Sequence, residues 1–284
     1  MRIIRVFPRR TRATPTDPLA YIGPPDLFAE ADEVHVSVTF SWDLPEAYRL
    51  ARAWKHVAPV KLGGPATGMP GGEFVPGRYL REGYTITSRG CPNRCWFCGV
   101  WRREGSVREL PIRDGWNVLD DNLLACSEKH IRAVFAMLSR QKRRAEFTGG
   151  LEATLLQFSY AEALRELRPK QLFFAYDTPD DLAPLREAGE TLRDAGFTTA
   201  SHTLRAYVLM GYPQDTPEAA ERRLWETVEA GFLPMAMLYR DSTGRRNPEW
   251  VRFQRTWARP TLITAIHQLA ANRDEEPRLR VARG

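Results

Sequence analysis

Four cysteines occur in this chain, Cys91, Cys95, Cys98 and Cys126, and three of them fall within eight residues. The segment from Thr87 to Val100 reads TSRGCPNRCWFCGV, with the spacing CxxxCxxC. Thiolates are soft ligands, and three in one short loop can bind three irons of a four-iron cluster while the fourth iron stays open. A structural zinc site needs a fourth protein ligand. The next histidine, His130, lies over thirty residues further on, but Cys126 could close such a set, so zinc stands as the alternative chemistry. A disulfide scaffold would distribute more cysteines along the chain. His35, His56, His130, His202 and His267 show no ligand-like spacing, and a packed or solvated ring is expected for each.

The chain that must position these thiols has 284 residues, with 41 Lys plus Arg, 35 Asp plus Glu and a net charge of +6. Hydrophobic residues make up 43% and charged residues 27%, which excludes wholesale disorder, a collagen or a simple coiled coil. No stretch approaches the ~20 apolar residues of a membrane-spanning helix. The start, MRIIRVFPRR, carries charge where a signal peptide needs its apolar region, so a cytoplasmic location is expected. The pI near 9.3 and the tight group Lys142, Arg143 and Arg144 permit a nucleic-acid or nucleotide partner.

From about Gly83 onward, short β-branched or aromatic runs alternate with longer amphipathic segments. Strands are predicted at Tyr84 to Ser88, Trp116 to Asp120, Ala145 to Thr148, Gln171 to Tyr176, Leu204 to Met210 and Pro234 to Tyr239. Helical patterns fall at Trp96 to Arg103, Lys129 to Arg140, Tyr160 to Leu167, Pro179 to Ala195, Pro217 to Ala230 and from Pro248 onward. This alternation predicts an α/β fold with parallel strands. Six such units match a partial (β/α)6 barrel, because a full eight-unit barrel needs about 250 residues. Thr216-Pro217-Glu218 has the residues of a helix start, and Gly196 and Gly231 those of helix stops. Before the barrel-like region, Glu33 to Phe40 reads as a strand, Glu46 to Trp54 as a helix and Pro59 to Leu62 as a strand running into a glycine-rich loop. The expected organisation is a small N-terminal α/β segment (1–80), a barrel region (81–245) and a C-terminal helical extension with a charged, frayed tail (246–284).

The cysteine segment resembles the radical S-adenosylmethionine (SAM) superfamily. The likeness runs from Tyr84 to about Asp241: the triplet has that superfamily's spacing, Phe97 precedes the last cysteine, and the triplet follows the first barrel strand. The resemblance implies that Cys91, Cys95 and Cys98 ligate a four-iron, four-sulfur (4Fe-4S) cluster whose open iron takes SAM. It further implies reductive cleavage of SAM to a 5′-deoxyadenosyl radical, hydrogen abstraction from a substrate, and an external one-electron donor of flavodoxin or ferredoxin type.

Members of that superfamily bind SAM at the C-terminal ends of the strands, which points to several positions here. Asp120, Asp121 and Asn122 follow the second strand and offer acceptors for the SAM ammonium. The superfamily's GGE-like motif is missing there, and a glycine pair comes one strand later in TGGLE, giving Gly149, Gly150 and Glu152. A tight turn with a first-turn acid is the plainer reading of that pair. Asp177, Gly211, Tyr212 and Arg240, with Asp241, stand at later strand ends. Asp177 and Asp215 also have the placement of helix caps, and capping is the expected role of Asp215. Cys126 is expected to be a buried small hydrophobe.

The N-terminal EVHVSVTF, helix and VKLGGPA resemble the second half of a cobalamin-binding domain. The segment is too short for that domain and lacks a DxHxxG element, so cobalamin is not expected. With one cysteine outside the triplet, a further cluster cannot be assembled in the usual way, which argues against sulfur insertion although TSRGCPNRCWFC looks like the methylthiotransferase version of the motif. The substrate and the outcome after hydrogen abstraction are not written in these residues.

Overall fold

The computed structural model describes residues 1–261, 263, 265 and 266; His267 and the charged tail fall outside the described residues. The chain divides into two compact units, one of residues 1–143 with 242–244 and one of residues 144–241 with those from 245 on. Both are α/β, with parallel strands as their main sheets, as the alternating pattern predicts. Among the described residues no helix is long and apolar enough to cross a membrane.

The first unit opens on β1 (Ile3–Phe7), β2 (Ala20–Ile22), β3 (Glu33–Ser37), α1 (Leu44–Trp54) and β4 (Val60–Gly63). These strands form a parallel sheet in the order β2-β1-β3-β4. Alternation decides which face is buried: Ile4 and Val6 of β1 lie opposite Val34 and Val36 of β3, and all four join a core with Ala47, Leu50 and Trp54 of α1. Those helix positions recur at the spacing that makes one apolar stripe. Each fully buried aliphatic side chain there contributes about 1.5–3 kcal/mol. On β1, Arg5 instead donates to the carbonyls of Gly77 and Arg78, at 3.2 Å each, and pairs with Asp17. Tyr79 Oη lies 2.5 Å from His35 Nδ1, so the linker from Gly77 to Tyr79 is tied to the sheet.

Past that linker come β5 (Tyr84–Thr85), β6 (Ser88–Arg89), α2 (Val100–Arg103), β7 (Arg108–Glu109), β8 (Asn117–Val118) and α3 (Glu128–Ser139). β5 pairs with β8 in parallel, and β6 with β7 antiparallel. The single strand expected from Tyr84 to Ser88 is thus split in two. At the break the donors of Thr87 and Ser88 turn to the Asp120 side chain instead of to a ladder partner. The helix expected from Trp96 begins only at Val100, because Cys95 to Gly99 form a turn. α3 starts where Ser127 accepts from the His130 N–H, and it buries Ile131, Val134, Phe135 and Leu138.

The second unit runs β9 (Glu146–Phe147), α4 (Phe158–Leu167), β10 (Gln171–Ala175), α5 (Leu182–Asp194), β11 (Leu204–Met210), α6 (Pro217–Glu229), β12 (Leu233–Leu238) and α7 (Pro248–Thr256). Its strands pair in parallel in that order, each pair bridged by a helix. β11 pairs on both sides and buries alternate residues, Leu204, Ala206, Val208 and Met210. Thr216 caps α6 by accepting from the Ala219 N–H, with Pro217 in the first turn.

Candidate metal centre

Cys91, Cys95 and Cys98 lie on the loop between β6 and α2, all as free, partly exposed thiols. Both sides of the loop are anchored. The Cys91 N–H donates to Gly105 O at 3.2 Å, and Trp101 Nε1 donates to Cys95 O at 3.1 Å. Inside it, the Cys98 N–H closes a turn on Cys95 O. Gly90 opens the loop at φ +89°, and a Cβ there would lie 2.3 Å from Ser106 O, so glycine is required.

Beneath the loop, the Asp120 carboxylate is 1% exposed and accepts from Thr87 N–H, Thr87 Oγ1 and Ser88 Oγ. Burial pushes its pKa upward against those three donors. His130, also buried, lies 3.3 Å from Thr87 Oγ1 and 3.7 Å from Glu109. Asp121 accepts from the Gly90 N–H at 2.8 Å with Arg103 at 4.0 Å, and Asn122 Nδ2 donates to Cys91 Sγ at 3.5 Å. Asp120, expected as a SAM ligand, braces Thr87 and Ser88, while Asp121 and Asn122 touch the cysteine loop directly. Burial raises the Cys98 thiol, reinforced by Cys91 and Asp121 and opposed by the Val100 N–H and Arg103. Cys126 is partly exposed, reaches Asn122 O at 4.0 Å, and burial pushes it up to about 11. It borders this polar group instead of sitting in the apolar core expected for it.

The remaining candidates gather in the second unit. Gly150 has φ +102°, and Glu152 Oε1 accepts from Thr154 Oγ1 at 2.8 Å. Asp177 takes the Leu209 N–H at 2.9 Å and is raised to about 7 by burial and Asp181. It is not a cap: Thr178 and Asp181 form a reciprocal capping box on the 3-10 turn Pro179–Asp181 that leads into α5. Nor is Asp215 a cap: Thr216 performs that role, and Asp215 accepts from the Gly211 N–H and from buried Arg223, at 2.7 and 2.9 Å. Arg223 also reaches Leu209 O and lies over the Tyr212 ring. Arg240 is half-buried just past β12. Sequence reasoning missed Thr87, Ser88 and Arg223, whose roles come from partners more than a turn or strand away.

Among the described residues, no three His, Cys, Asp or Glu side chains are gathered closely enough to hold a metal ion. The cysteine loop does carry three partly exposed thiols on one anchored segment, the donor type that iron-sulfur clusters take. Binding would have to release their protons. No protein-family model matches the chain, and no curated protein matches it.

Proposed function

We propose that this chain is a radical SAM enzyme built on a partial (β/α)6 barrel, with Cys91, Cys95 and Cys98 as ligands to one 4Fe-4S cluster. The observation that carries the reading is the CxxxCxxC triplet on a single anchored loop after β6, the short antiparallel strand that comes just past parallel β5. Such a cluster, with SAM on its open iron and an external one-electron donor, supplies a 5′-deoxyadenosyl radical for hydrogen abstraction. The chain's own residues hold the loop: Asp120 fixes Thr87 and Ser88, Asp121 fixes Gly90, and Asn122 donates to the Cys91 sulfur. Hydrogen bonds to ligand sulfurs and burial are the levers by which a protein tunes such a centre. Of the expected SAM contacts, Asp120, Asp121 and Asn122 belong to the same unit as the cysteine loop and bond to it or to the residues leading into it, and they stay as proposed SAM contacts.

A second reading is a non-enzymatic zinc- or cluster-binding module, favoured by Cys126 reaching Asn122, the residue that also donates to Cys91. Anaerobic reconstitution with iron and sulfide, followed by dithionite, SAM and an assay for 5′-deoxyadenosine that only the enzyme reading expects, separates the two. The enzyme reading expects a brown protein whose iron and sulfide fall away in Cys91→Ala, Cys95→Ala and Cys98→Ala but not in Cys126→Ala. Tight zinc lost equally in all four variants supports the module.

A further inference from the structure

Two of the three residues in the basic group singled out in the sequence, Arg143 and Arg144, are engaged within the protein. Arg143 lies over the Trp116 ring at 4.6 Å, and Arg144 donates to the carbonyls of Arg168 and Pro169. A second concentration of charge surrounds the cysteines. From Arg89 to Arg108 there are five arginines and one acid, Glu104. The Glu104 side chain is 1% exposed, with Arg103 at 2.9 Å, Arg108 at 3.1 Å and Arg89 at 3.9 Å. Burial pushes Glu104 up, yet Arg103, the Gly71 N–H and Arg89 hold it below the usual carboxylate range. The next acid, Glu109, accepts from the Ser127 N–H at 2.7 Å and faces His130.

Arg94 and Arg102 are exposed and make no ion pair among the described residues; Arg102 lies 4.5 Å from the Trp101 ring centre. Between them in sequence stands Trp96, edge-on to Phe97 and 51% exposed. An exposed indole with exposed guanidinium groups outside any ion pair on either side of it in sequence matches one ligand chemistry, a strand with aromatic bases and a phosphate backbone. A duplex hides its base faces, so the match is to a single strand.

We propose that the cysteine loop is a docking surface for single-stranded nucleic acid, with an unpaired base stacked on Trp96 and phosphates on Arg94 and Arg102. The proposal rests on the radical SAM reading and gives it a substrate class, but binding can be measured without the cluster. The test titrates the full chain, under reducing conditions, into fluorescent single strands of about twelve nucleotides, the matching duplex and heparin, across a salt series. Expected is preference for the single strand, with Trp96→Leu weakening it about tenfold, Trp96→Tyr retaining it and heparin binding unchanged. Arg94→Ala and Arg102→Ala should each reduce the slope of log affinity against log salt by about 0.7. Thermal melts check that these exposed variants stay folded. Equal binding of strand, duplex and heparin with no effect of Trp96→Leu would overturn the proposal, as would no binding at about 50 mM salt. Strand binding without 5′-deoxyadenosine formation would leave this surface standing and defeat the enzyme reading. Deoxyadenosine formation without strand binding would do the reverse.

Discussion

Asp120 takes both donors of Thr87, the backbone N–H at 2.6 Å and the hydroxyl at 2.5 Å, from a position 1% exposed to solvent. A residue two positions past β8 thereby fixes the residues that lead into the cysteine loop. Asp120→Asn keeps the shape but turns an amide N–H₂ toward groups that already donate. A loss of about 1–3 kcal/mol is expected, read as a lower denaturant midpoint with unchanged slope. An unchanged midpoint would remove Asp120 from the role of brace.

Two glycines of the same loop give a contrast. Gly90 sits at φ +89°, and an added Cβ would meet Ser106 O at 2.3 Å and Gly105 O at 2.9 Å. Gly99 has an ordinary φ, and its Cβ would meet nothing within 4 Å. Gly90→Ala should cost about 2 kcal/mol or more and impair iron loading, whereas Gly99→Ala should stay within about 0.5 kcal/mol. Equal behaviour in melts and iron content would count against the loop geometry.

Asp177 makes stability depend on pH. Burial, with Asp181 adding to it, raises the carboxyl from 3.8 to about 7, against the Leu209 N–H and Arg223. Below the unfolded value both states hold the proton. Between about pH 4 and 7 the unfolded state releases it first, so stability falls as pH rises, and above about 7 the fall ends. Burial of this group makes the total on the order of 2–4 kcal/mol. Asp177→Asn should remove that slope while still accepting from the Leu209 N–H, making the variant the more stable chain at pH 8 relative to pH 4. Parallel profiles for the two chains would contradict it.

Where a segment carries its own signal, sequence and structure agree closely. β11 matches the expected Leu204 to Met210 because alternate residues bury in a strand paired on both sides. α6 starts at Thr216-Pro217 because the cap and the proline are local devices. The N-terminal sheet was harder to read: IIRVF is flanked by charges, and β2 has three residues, too few for a period. Strand ends were also misjudged, since Trp116 to Asp120 reduces to Asn117–Val118 once Asp120 turns to Thr87. At the candidate site the thiols were legible from spacing alone. Which of the five arginines around them stay outside ion pairs was not, because the pairing of Arg89, Arg103 and Arg108 with Glu104 is set by the folded loop.

The most direct test of the central claim is chromatographic detection of 5′-deoxyadenosine after anaerobic reconstitution, dithionite and SAM, in the unaltered chain and in Cys95→Ala. The radical SAM reading predicts deoxyadenosine from the unaltered chain and none from Cys95→Ala. A reconstituted brown protein that forms no deoxyadenosine, or a colourless one that holds zinc, would contradict it.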